Sequence, residues 1–279
     1  MRTHSKGGLE IMYGAFIGDI EGSIFEFHNT HDRNFDLFDQ DLAFTDDSVM
    51  TLAVYDVIKR GAIANEHKIA DILREWGQAY PYAGYGGYFD TWLYQKDYRA
   101  NPSYGNGAAM RISPVGFYAS SEAEVKAWSR HVTVVSHNHP EAIKGAEVTA
   151  MCIYYARQGK SKDFIKNYAT KNYSLYPDYE SLCLSNHGHG LEICQVSVPQ
   201  AISAFLLSQN FEDCLRIIIS AGGDCDTTGA IACSIADAYY QDIDPKLVGY
   251  AKSILLKGGA KIANLLETLE KDLVASPHH

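Results

Sequence analysis

Positive charge is scarce in this chain: 24 Lys and Arg stand against 34 Asp and Glu over 279 residues, a formal charge of −10. A protein that grips nucleic-acid backbone over a broad surface is therefore excluded. Cysteine is sparse too. All six (Cys152, Cys183, Cys194, Cys214, Cys225, Cys233) fall in the second half with no CxxC pair. That spacing excludes a disulfide framework and a structural zinc site, and leaves reduced, mostly buried thiols of a cytoplasmic protein as the expectation. Long apolar runs are missing. The longest uncharged stretch, residues 193–211, is broken by Gln195, Ser197, Pro199, Gln200, Ser203 and Ser208, so no membrane span is expected. The opening MRTHSKGGLEIMYG has no apolar core of a secretory signal. At 46% hydrophobic and 21% charged residues, the chain is no candidate for intrinsic disorder either.

What is present is helical periodicity. Thr45 is a good N-cap, followed by Val49, Leu52, Ala53 and Val57 on one face and by Gly61 as a stop. Pro140 stands at the first position of a helix running to Gly159, and Pro199 opens another. Residues 211–220 and 227–240 read as two more, separated by Gly222-Gly223, and 245–256 with 260–274 as a final pair. No stretch alternates with the period of a strand, and Val132–Val135 is the main ambiguous run. The expectation is an all-α fold, one orthogonal multi-helix domain over residues 1–279, with 276–279 set aside as a tail. Two long loops interrupt it. Residues 80–104 are rich in Tyr, Gly and Asp, with Gly84, Gly86 and Gly87 close together, and 172–189 are polar and irregular.

Two acidic clusters sit at helix starts, Thr45-Asp46-Asp47 and Asp224-Cys225-Asp226-Thr227. Capping alone would account for either one. A cap needs one acceptor, however, and each cluster offers two carboxylates and a hydroxyl. Four converging carboxylates repel unless cations intervene, and hard oxygen donors suit Mg²⁺, Mn²⁺ or Ca²⁺, so a two-metal site is the sharper reading. A third acidic element holds Asp19 and Glu26, seven apart and so nearly on one face if this segment is helical. Glu26 stands between Phe25 and Phe27, an odd place for a solvated carboxylate. The turn Tyr104-Gly105-Asn106-Gly107 exposes backbone N–H groups of the kind that cradle phosphate, although an unliganded Asn-Gly turn has the same composition. In His137-Asn138-His139-Pro140, His139 reads as helix-boundary chemistry, leaving His137 free for another role. His187 and His189 lack a third soft ligand, which argues against zinc. There is no GxSxG elbow and no cysteine-protease context, so nucleophilic catalysis has no support.

The order GDIEGSIFEF, FTDDSVMTLAV, YGNGAAMRISPVG, SHNHPEAIKGAE, SVPQAISAFL and GGDCDTTGAIACSIADAYY resembles the ADP-ribosylglycohydrolase family, most closely its compact bacterial members. The resemblance implies a central dinuclear Mg²⁺ or Mn²⁺ site and hydrolysis of the bond between ADP-ribose and an acceptor, commonly a protein side chain. It implies Thr45, Asp46 and Asp47 as one ligand group and Asp224, Asp226 and Thr227 as the other, with Asp226 bridging. By the same resemblance Glu26 and Asp47 are the catalytic candidates, and Gly105, Asn106, Gly107, Met110 and His137 line the ADP-ribose cleft. Thr228-Gly229 departs from the family's usual apolar-alanine pair, and 172–189 matches no family block. Two rival readings stand beside this one: a non-catalytic ADP-ribose-binding or crystallin-like structural protein on the same fold, and a hydrolase acting on ADP-ribosylated nucleic acid or small molecules.

Overall fold

A computed structural model describes residues 12–186 and 191–275. His187, His189 and the tail 276–279 lie outside the described residues, as does most of the opening segment. The helices in chain order are α1 (Gly14–Gly22), α2 (Asp46–Lys59), α3 (Glu66–Ala79), α4 (Gly87–Leu93) and α5 (Gly107–Met110). They continue as α6 (Ser113–Tyr118), α7 (Glu122–Val134), α8 (Pro140–Arg157), α9 (Lys162–Ala169) and α10 (Tyr179–Leu184). The last are α11 (Cys194–Leu207), α12 (Phe211–Ala221), α13 (Cys225–Tyr240), α14 (Pro245–Leu256) and α15 (Ala260–Ala275). Among the described residues there is no strand, only the isolated bridges Asn101–His137 and Gly105–Ile193. The all-α expectation holds. Among the described residues no helix is long and apolar enough to cross a membrane.

Helix α13 is the axis of the fold. Every residue from Cys225 to Ala238 is buried, and α1, α8, α11 and α12 pack around it. A helix enclosed on all sides must carry small side chains wherever neighbours come close, and α13 is built of Ala, Gly, Ser, Thr and Cys between its isoleucines. Its tightest partner is α1, itself wholly buried. A Cβ placed on Gly18 would lie 2.1 Å from the Gly229 carbonyl oxygen, and one on Gly14 2.3 Å from that of Cys233. One on Gly22 would lie 2.5 Å from the Cys225 carbonyl oxygen. Glycines at four-residue spacing thus let the two backbones touch along i±4 ridges. Gly229, which departs from the family pattern, is there because Gly18 leaves no room for a side chain: a Cβ on Gly229 would meet the Gly18 carbonyl oxygen at 2.5 Å.

Three sequence expectations need correction. Pro199 lies inside α11, which starts five residues earlier at Cys194. The earlier start is anchored by the Cys194 N–H donating to the Tyr104 carbonyl (3.1 Å) and the Ser197 hydroxyl to the Leu191 carbonyl (2.7 Å), and the proline costs only one donor. The loops are not structureless. Residues 80–104 hold α4, and 172–189 hold α10, which begins in a reciprocal Asp178–Ser181 capping box. Asp19 and Glu26 share no helix, because α1 stops at Gly22. The ambiguous run Val132–Val135 is resolved as the last turn of α7 and its C-cap. By contrast, Thr45 caps α2, accepting from the Asp47 N–H, and His139 caps α8, its Nδ1 accepting from the Glu141 N–H at 3.1 Å.

Candidate active site

A cleft of about 660 Å³ opens over the N-termini of α2 and α13. It brings together every residue singled out in the sequence as catalytic, metal-binding or substrate-binding: Glu26, Thr45, Asp46, Asp47, Gly105, Asn106, Gly107, Met110, His137, Asp224, Asp226 and Thr227. The two acidic clusters therefore do face each other, and the reason is local. Thr45 caps α2, so Asp46 and Asp47 occupy its first turn. Gly222 and Gly223, at φ +84° and +87°, reverse the chain in the left-handed region and deliver Asp224 to the start of α13.

The carboxylates form two groups sharing one member, Asp19–Asp47–Asp226 and Glu26–Asp224–Asp226. Within each group one oxygen per residue lies within 4.8 Å of the others. Asp19 was not among the expected ligands. Its Oδ1 accepts from the Thr45 hydroxyl (2.7 Å), and its Oδ2 from the Ser48 N–H (3.0 Å) and the Ser48 hydroxyl, which pins the start of α2 to α1. The signal for it was the Gly14-Gly18-Gly22 spacing, which presses α1 onto α13 and so brings Asp19 to Asp226. Asp47 Oδ2 accepts from the Thr227 hydroxyl (3.2 Å), whereas Asp47 Oδ1 is buried with no partner among the described residues. Asn106 holds Asp224 in place, its Nδ2 donating to Asp224 Oδ2 (2.6 Å) and to Ser197 Oγ (2.9 Å). The Gly105 and Asn106 N–H groups are themselves committed, to Ser103 Oγ (3.1 Å) and the Glu192 carbonyl (3.0 Å), so the glycine turn offers its shape more than an open cradle.

None of the ion pairs among the described residues reaches these carboxylates. Burial pushes Asp19 up to about 7, with the Asp226 charge adding to it, and burial followed by the charges of Asp226 and Glu192 pushes Glu26 up to about 7. Asp46, Asp47 and Asp224 are raised well above the usual carboxylate range, first by burial and then by Asp226. Clustered, buried, unpaired carboxylates with an orphaned oxygen are the donor set of a hard divalent cation. The residues present fit such ions.

The rest of the lining was only partly foreseen. Gly84, Gly86, Gly87, Tyr88 and Phe89 supply one wall from the loop and first turn of α4, while Asn101, Ser103, Tyr104, Arg111 and Glu192 complete it. One further side chain braces the site from outside. Asn29 donates from Nδ2 to the Gly223 carbonyl (2.9 Å) and the Phe25 carbonyl (2.6 Å), and its Oδ1 accepts from the Gly223 N–H (2.9 Å). The segment carrying Glu26 is thereby tied to the turn that presents Asp224.

Helices gather about a buried acidic centre whose oxygen donors could hold a metal ion, beside a cleft roomy enough for a nucleotide. The chain belongs to the ADP-ribosylglycohydrolase family, whose sequence profile matches residues 7–273. It is 26% identical to the Homo sapiens protein named ADP-ribosylhydrolase ARH3, over 81% of this chain and 83% of that one. It is 23% identical to the ADP-ribosyl-[dinitrogen reductase] glycohydrolase of Rhodospirillum rubrum, over 59% of this chain and 55% of that one. Among solved structures, an ADP-ribosylglycohydrolase-related protein complex aligns with TM-score 0.69 at 21% identity, covering 95% of both chains.

Proposed function

We propose that this cleft hydrolyses the glycosidic bond between ADP-ribose and a modified protein side chain, in the cytoplasm, with two Mg²⁺ or Mn²⁺ ions held by Thr45, Asp46, Asp47, Asp224, Asp226 and Thr227. The observation that carries this reading is the position of Asp226, whose carboxylate belongs to both acidic groups at once. Asp19 joins the ligand set from α1 or orients it through Thr45 and Ser48. Bound ions of this type supply positive charge for ribose hydroxyls and acidify water. The chain's own residues do the remainder. Asn106 fixes the Asp224 carboxylate through Oδ2 and leaves Oδ1 to face an ion. Glu26 lines the cleft half-buried and makes no side-chain hydrogen bond among the described residues, so it is the group free to swing and carry a proton to or from the anomeric centre. Asp47, pinned by Thr227 and buried, suits a fixed ligand better than a mobile acid or base. Gly105, Gly107, Met110 and His137 shape the wall against which ADP-ribose lies. Six unpaired cysteines accord with a reducing compartment.

The test is release of ADP-ribose from arginine-linked, serine-linked and nucleic-acid-linked substrates, each with Mg²⁺, Mn²⁺ or EDTA, and with Asp226→Asn. Activity on a protein linkage that disappears in EDTA and in the variant is expected. Full activity under either condition would sink the two-ion site.

A further inference from the structure

Along the cleft wall Arg111 and Ser136 lead in a line to His137, and neither of those two is given a part by the family resemblance or the proposed chemistry. Arg111, at the end of α5, is fully buried at 0% exposure, and its Nη2 donates to Ser136 Oγ at 2.7 Å. Ser136 Oγ in turn lies 2.9 Å from His137 Nδ1, and both residues are buried. A guanidinium has only donors, so Ser136 Oγ must accept from it. The serine's own hydrogen then needs an acceptor, and among the described residues the one within reach is His137 Nδ1. The opposite arrangement, with the proton on Nδ1, would leave a buried hydroxyl hydrogen unsatisfied, which costs about 1–3 kcal/mol.

We infer that Arg111 and Ser136 are positioning residues which fix His137 as the Nε2–H tautomer, making its outer nitrogen a permanent hydrogen-bond donor to an acceptor atom of the bound nucleotide. Nε2 has no hydrogen-bond partner among the described residues, and the ring lines the cleft beside the glycine turn. Gly107 is what keeps that nitrogen uncovered: a Cβ there would lie 3.2 Å from Nε2, and one on Gly105 3.9 Å away. Phe89, with its ring centroid 5.9 Å from the imidazole, closes the other side. Burial and the neighbouring guanidinium hold the imidazole well below its ordinary pKa, which accords with a neutral ring. A fixed neutral donor discriminates in one direction. It accepts a phosphate oxygen, ribose oxygen or ring nitrogen, and repels a cation or a donor.

The role for the nucleotide rests on the proposed ADP-ribose reading; the tautomer does not. Nitrogen-15 NMR of the histidines in the ligand-free protein at pH 7 reads it directly, with His137 assigned by its loss in His137→Gln. A protonated Nε2 and a bare Nδ1 are expected; a proton on Nδ1, or an imidazolium, overturns the inference. Ser136→Ala removes the donor to Nδ1, so both nitrogens should shift toward the averaged values of an unbiased ring, with ADP-ribose binding weakened about 5–10-fold, the loss of one hydrogen bond. Gly107→Ala should weaken binding by a similar factor with the tautomer unchanged, because it covers Nε2 and leaves the relay alone. Undiminished affinity in both variants overturns the donor role. Binding of ADP-ribose without turnover would fault the hydrolase reading alone. No binding by the unaltered protein would overturn the nucleotide role, while the NMR still decides the tautomer.

Discussion

Asp19 and Glu21 stand two residues apart on α1, both buried, and their surroundings differ. Asp19 accepts from the N–H and hydroxyl groups of Thr45 and Ser48 and faces the acidic centre. Among the described residues Glu21 accepts only from the Phe38 N–H at 3.4 Å and its Oε2 has no partner, and burial pushes it up to about 7. A carboxyl raised in the folded state costs stability as pH rises from its unfolded value near 4.5 through 7, and costs nothing at pH well below both. Glu21→Gln should therefore stabilise the protein by about 1–2 kcal/mol at pH 8 and change little near pH 4, since part of the gain is offset by an unsatisfied amide. Thermal melts of both proteins at the two pH values check this, and equal shifts at both would refute the buried-charge account. Activity should survive, because Glu21 does not line the cleft.

At the scale of elements, the α1–α13 crossing is what places Asp19 beside Asp226. Gly18→Ala should cost several kcal/mol, on the order of an overpacked core, because its Cβ meets backbone and not a flexible side chain. Gly249, inside α14 with open space around it, is the control: Gly249→Ala should stabilise by about 0.5–1 kcal/mol. Urea melts of the two variants separate the predictions, and a Gly18→Ala protein as stable as the parent would mean the helices are free to part. Sequence reading reached these elements unevenly. Helices α2, α8, α12, α13 and α14 were legible because their caps, prolines, glycines and apolar faces agree locally. The start of α11 was not, because a hydrogen bond from Cys194 to distant Tyr104 overrides the proline signal. The six residues of the two acid–threonine clusters were singled out because such clusters at helix starts are improbable as caps alone; Gly105, Asn106, Gly107 and His137 were assigned to the site by the family resemblance, and all of them line one cleft. Asp19 was noticed but not as a ligand, and Arg111 was not noticed, because their roles depend on what packs against them, which periodicity does not reveal.

For the whole molecule, the acidic centre is a liability when no cation occupies it. In EDTA, melting temperature should fall as pH rises from 5 to 8, because Asp19 and Glu26, both raised to about 7, lose their protons into a buried like-charged cluster. Mn²⁺ or Mg²⁺ at saturating concentration should restore it, far more at pH 8 than at pH 5, where protons occupy the same oxygens. Calorimetry across that grid decides the matter; a cation effect independent of pH would place the ions elsewhere. Asp226→Asn should raise the melting temperature in EDTA at pH 8 and abolish the response to cation.

The Thr227 hydroxyl meets Asp47 across 180 residues of chain, and Asn29 meets Gly223 across 194. Contacts of such long range close late in folding, after local helices have formed. We expect the acidic centre to be completed only once the chain has closed on itself, so that an ion has little to hold while the chain is still collapsing. In kinetic language the cation is a lock and not a seed: it should slow unfolding in stopped-flow experiments while leaving the refolding rate where it was.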